Sequence, residues 1–170
     1  MDVYNAIRTR KSVRSFLDRP VEQEKLQRVL DAARMAPSAR NRQEWRFVVV
    51  TEQETRRRLA DAASGQAFVA EAPVVLVGCA ETDQHQMRCG HKCFPIDVAI
   101  AMDHLSLAAV AEGLGTCWIG AFSAEEVRSV LGIPAEIEVV ELMPVGYPAD
   151  PAPVEKNRLS LDTITRQERW

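Results

Sequence analysis

Apolar positions along the chain change period several times, and each change marks an element. Leu26, Val29, Leu30 and Ala33 recur at helical spacing, so Glu22–Met35 is predicted as an amphipathic helix that Pro37 stops. Trp45–Thr51 (WRFVVVT), Pro73–Ala80 (PVVLVGCA) and Ile137–Tyr147 are dense in β-branched and apolar residues and read as buried strands. Gly146 and Pro148 end the last of them. Asp2–Arg8 reads as a short helix and Glu52–Ala63 as a polar, Arg-rich surface helix. Ser123-Ala-Glu-Glu126 has the form of a capping box that starts a helix reaching Leu131. Ile96–Glu112 leaves almost no polar face, which predicts a central core helix or a subunit interface. Glu81–Pro95 has no clean period and reads as a loop or short excursion, and Asp150–Trp170 as an arm needing another surface. The order of helices and strands gives a mixed α/β domain, expected to be one domain over residues 1–170.

Charge narrows the function classes. Lys plus Arg is 21 and Asp plus Glu is 24, a formal net charge of −3. That balance argues against a nucleic-acid partner, which asks for a basic stripe. The longest run without a polar side chain, near Ala72–Ala80, is far short of a membrane span, and Met-Asp-Val-Tyr-Asn carries no basic-then-apolar leader. No membrane partner is expected, and the expected compartment is cytoplasmic. There Cys79, Cys89, Cys93 and Cys117 would stay free thiols, with Cys79 and Cys117 buried in packing.

Four stretches could carry chemistry. Arg10-Lys11-Ser12-Val13-Arg14 sets three cations and a hydroxyl in five residues, a set able to hold a phosphate, though such a run alone is usually a solvated face. Ala36-Pro37-Ser38-Ala39-Arg40-Asn41-Arg42-Gln43 joins a helix end to a strand with small residues and amide donors, so a flat ligand could approach the backbone. Gly113-Leu-Gly-Thr-Cys-Trp-Ile-Gly120 follows a helix and lacks the dinucleotide-binding spacing; its plain reading is a helix cap at Gly113 and a tight turn at Gly115. Lys156-Asn157-Arg158 adds two cations on the arm.

In order and spacing these four stretches, with Pro-Val-Gly-Tyr-Pro at 144–148, resemble the nitroreductase family of flavin enzymes over residues 3–160 or so. The resemblance implies an α+β fold: a three-layer α/β/α sandwich with a mixed, mostly antiparallel sheet. It also implies an intertwined homodimer with a swapped C-terminal arm at 149–170, and FMN at the dimer interface. Carried over residue by residue, Arg10, Ser12, Lys156 and Arg158 would hold the FMN phosphate and ribityl chain, with Lys11 assisting. Arg14 would face the N1/O2 edge of the ring, where a cation favours the reduced anion. Pro37, Ser38, Ala39, Asn41 and Gln43 would line the ring from the partner subunit, and Trp118, Ile119, Gly120 and Ala121 would lie near N5. The implied activity is an NAD(P)H-dependent, ping-pong flavin oxidoreductase with a small acceptor such as a nitroaromatic or quinone. The flavin carries that chemistry, so no catalytic side chain is assigned beyond Arg14 as its tuner.

Two features depart from the family pattern. Glu44 stands where Pro is common, which is expected to loosen the turn before Trp45, and Glu81–Pro95 is short for a substrate lid. Other reactions on the same fold, dehalogenation and dehydrogenation among them, remain alternatives. A flavin- or metal-binding sensor without turnover is another, built on His85, Cys89, His91 and Cys93. The spacing of those four is not a zinc pattern, so no metal is assigned, and a Cys89/Cys93 redox pair is the remaining option.

Overall fold

The computed structural model describes residues 1–170. Its centre is a four-stranded sheet of β1 (Trp45–Val50), β2 (Val74–Glu81), β3 (Gly115–Thr116) and β4 (Ile137–Gly146), in the order β1-β2-β4-β3. All neighbouring strands run antiparallel, and the parallel contact is a single bridge from Ser12 to Thr116. Successive side chains of β2 alternate between two apolar layers. Val74, Leu76 and Ala80 meet α2 (Gln23–Arg34) and α5 (Cys93–Ala111). Val75, Val77 and Cys79 meet α3 (Gln53–Ala62), α4 (Phe68–Glu71) and α6 (Ala124–Leu131) on the other face. Helices on both faces make the three-layer α/β/α sandwich that the family resemblance implies.

Local chemistry sets the helix ends. Asp2 caps α1 (Val3–Thr9) by accepting from the Asn5 N–H at 2.9 Å, and Ser123 caps α6 by accepting from the Glu126 N–H. α5 begins three residues earlier than its hydrophobic run suggests, so Cys93–Pro95 is its first turn and the preceding loop shrinks to residues 82–92. It is long and apolar enough to cross a membrane by length and composition, although Asp97, Asp103 and His104 interrupt its apolar run. In this fold Val98, Ala101, Met102, Leu105 and Ala109 are buried in the core, while Ile96 stays 42% exposed. Cys93 is buried in that helix and Cys89 is exposed, and both are free thiols, as are the buried Cys79 and Cys117.

Two readings of the glycine-rich stretch separate here. Gly113 does take the left-handed conformation (φ 76°) behind α5. Gly115 is not a turn; it is the first residue of β3, packed so closely that a Cβ there would come within 2.5 Å of Val13. The missing side chain is what lets the Lys11–Val13 segment lie along β3, where the Val13 N–H donates to the Thr116 carbonyl at 2.9 Å. Short elements without a clear period, α4, β3 and α7 (Leu161–Ile164), were not legible in the sequence.

Candidate active site

Residues 10–14 run extended beside β3, so their side chains alternate in direction. Arg10 and Ser12 line a cavity of about 280 Å³ with Met102, Asp103, Ser106, Thr116, Trp118 and Met143. Lys11 and Val13 point to the opposite side, into a separate cavity with Val110, Leu114 and Pro151. Lys11 donates to the carbonyls of Asp150 (2.9 Å) and Ala152, tying the arm down. Lys11 is thus set apart from Arg10 and Ser12 in this chain.

The other cations do converge. Burial, together with the charges of Arg10 and Arg158, presses the Lys156 ammonium below the usual lysine range. Burial pushes the Cys117 thiol up, while Arg14, Ser12 and Arg10 all act on it in the other direction. The charge of Arg10 is therefore felt both at Lys156 on the arm and at Cys117 beside β3. Arg10, Arg14, Lys156 and Arg158 form no ion pair with a carboxylate of the chain; Lys156 donates to the Ile7 carbonyl and Arg158 to its neighbour Asn157. Arg10, Arg14, Lys156 and Arg158 thus keep their charge free of any ion pair, while Asp103 is the acidic side chain that lines the Arg10 cavity.

The Gly113–Gly120 stretch supplies the wall. Ile119 is buried and exchanges two backbone hydrogen bonds with Leu142 of β4, at 2.9 and 3.2 Å. This pairing leaves Trp118 48% exposed at the cavity and sets Gly120 and Ala121 outside the sheet, where their N–H groups meet no acceptor of the chain.

The 36–43 stretch lies elsewhere. Pro37, Ser38, Ala39, Asn41 and Gln43 line no cavity with Arg10, and Ala39 meets Asp97 near the start of α5. From Asp97 to Ser106, which lines the Arg10 cavity, α5 rises roughly 13 Å. Ser38 accepts from the Gln43 N–H at 3.0 Å, and the loop holds three non-glycine residues at positive φ: Arg40 (53°), Asn41 (56°) and Gln43 (52°). Glu44 does not loosen the turn. It is buried, accepts from Arg42 and Thr82, and ties the loop to the end of β2. The sequence reading did not single out Asp97 or Glu141, since polar residues inside apolar runs carry no periodic signal.

Fold and site together define a class: an α/β/α domain whose helix α5 and sheet edge frame a cavity lined by Arg10, Ser12 and Trp118. The chain belongs to the nitroreductase family, whose pattern matches residues 7–72 and 62–147. It is 32% identical to an NADH dehydrogenase of Thermus thermophilus, over 96% of this chain and 95% of that protein. It is 29% identical to an FMN reductase [NAD(P)H] of Bacillus subtilis, over 99% and 74%. Among solved structures, a nitroreductase family protein of Clostridium difficile superposes with a TM-score of 0.90 at 31% identity, each chain covered completely. The NADPH:FMN oxidoreductase of Vibrio harveyi, solved with NAD+, gives 0.90 at 28% identity, over 99% of this chain and 77% of that one.

Proposed function

We propose that this chain is an FMN-dependent oxidoreductase that draws on NADH or NADPH and serves a small acceptor such as a nitroaromatic or quinone. The observation that carries the reading is a set of cations in no ion pair beside a cavity that Arg10 and Ser12 share with the apolar Met102, Trp118 and Met143 and the polar Asp103, Ser106 and Thr116. A phosphate at one end of a flat, largely apolar ligand matches that pairing, and relatives with 28–32% identity are named for NAD(P)H and FMN. Arg10, Ser12, Lys156 and Arg158 hold the phosphate end by charge-assisted hydrogen bonds. Arg14 supplies fixed positive charge where the ring becomes negative on reduction, so it favours the reduced state. Trp118 gives an apolar contact, and the unused Gly120 and Ala121 N–H groups offer donors to the ring edge. When bound, FMN supplies two-electron chemistry between the nicotinamide donor and the acceptor.

A single chain holds the phosphate half of such a site. We infer that a second copy completes it, its Pro37–Gln43 loop covering the ring as the arm and the open strip of α5 meet the partner. A homodimer follows from this reading.

The test is the visible absorption of purified protein before and after anaerobic NADH or NADPH. Flavin bands that bleach with one nucleotide are expected, and they identify the donor. A colourless protein that cannot be reconstituted with FMN overturns the reading, because one ligand accounts for all four motifs.

A further inference from the structure

We propose that Asp97 and Glu44 are positioning residues, a pair of buried carboxylates that brace the 38–43 loop in the left-handed shape it needs to meet the flavin ring. The inference rests on the FMN reading above and adds to it the residues that shape the ring-covering loop.

Three left-handed non-glycine residues within four positions are a strained arrangement, and such strain persists only where the surroundings over-determine it. The two ends of this loop are held by charge. At the first end the Ala39 N–H donates to both Asp97 carboxylate oxygens at 3.2 Å, and Asp97 has no other hydrogen bond. Asp97 is 4% exposed on a helix that is otherwise apolar on that side. At the second end Glu44, 5% exposed, accepts through one oxygen from Arg42 at 3.0 and 3.1 Å and from Thr82 at 3.0 Å. Its backbone carbonyl accepts from the Glu81 N–H at 2.9 Å. Arg42 also pairs with Asp83, so the loop's own cation is fixed from two sides.

Neither carboxylate is well compensated. Burial pushes the Asp97 carboxyl up, with the Ala39 N–H acting against it, and the second oxygen of Glu44 has no partner. Apolar residues at both positions would pack without that desolvation cost. Meanwhile the tip residues Arg40, Asn41 and Gln43 are exposed, and the Asn41 side chain bonds nothing in the chain. The polar groups are spent on shaping a loop whose tip is left open for a ligand.

The experiment compares full-length wild type, Asp97→Ala and Asp97→Asn by amide hydrogen exchange over residues 39–43, thermal stability and FMN titration. Asp97→Ala is expected to speed exchange over the loop and weaken FMN binding about 10- to 100-fold, with Tm unchanged or raised. Asp97→Asn keeps an acceptor for the Ala39 N–H and restores most of both. Wild-type exchange in Asp97→Ala, or FMN affinity lost only in step with Tm, overturns the proposal. A wild-type protein that binds no FMN overturns the flavin reading instead, and the exchange comparison alone still decides whether Asp97 braces the loop.

Discussion

At residue 141 the chain places a glutamate in the middle of β4, where both neighbours are apolar. Its side chain is fully buried, and neither carboxylate oxygen has a hydrogen-bond partner. Its cross-strand neighbour is Gly78, where a Cβ would come within 3.2 Å of Val98 and 3.4 Å of Met102. Burial, with the nearby Asp103 charge, pushes its pKa from 4.5 to about 9, so the folded protein carries it as a neutral acid at pH 7. The unfolded chain releases that proton near 4.5, so stability falls as pH rises from about 4.5 to about 9. Glu141→Leu should stabilise the protein by roughly 1–3 kcal/mol at pH 8, with the gain shrinking toward pH 4. Urea unfolding of both proteins across that range checks this, and parallel pH profiles would refute it. Nothing in the one-dimensional pattern distinguishes Glu141 from a solvent-facing strand position; only its place beneath α5 does.

Among the elements, α5 and the C-terminal arm differ most from their sequence readings. The residues of α5 look apolar all round, yet one face is buried and Ile96 belongs to an open strip, because a single chain supplies neighbours on one side only. The arm lies on its own chain through Lys11 and Lys156, while Val154, Leu159, Leu161, Ile164 and Trp170 stay exposed. Almost nothing in the arm is buried against its own chain, so its contribution would come from the proposed dimer. Removing Glu155–Trp170 should weaken that dimer and raise the FMN dissociation constant on the order of tenfold or more, since two phosphate cations go with it. Sedimentation and flavin titration of the truncated chain check both. Unchanged affinity would remove Lys156 and Arg158 from the phosphate site.

For the whole molecule the question is where a complete site forms. Arg10 and Ser12 sit at one stretch of α5, and the 38–43 loop at another, so the proposed site needs two copies. Mixing Arg10→Ala chains with Asp97→Ala chains tests this directly. If each site draws on two chains, random pairing restores about a quarter of the FMN sites with neither lesion. No recovery on mixing would place both halves within one chain.

By itself the sequence determined the order of the longer helices and strands, the cap at Ser123, and the four motifs that mark the family. Those signals are local: hydrophobic period, capping chemistry and short spacings act within a turn or two of the chain. Tertiary structure decided which motif residues meet. Alternation along an extended segment sends Arg10 and Ser12 to one cavity and Lys11 to another. Close packing on Val13 makes Gly115 a strand residue. Packing of distant segments buries Asp97, Glu44 and Glu141. Such outcomes depend on contacts between segments tens to over a hundred residues apart, and the pattern along the chain does not encode which face another segment will cover.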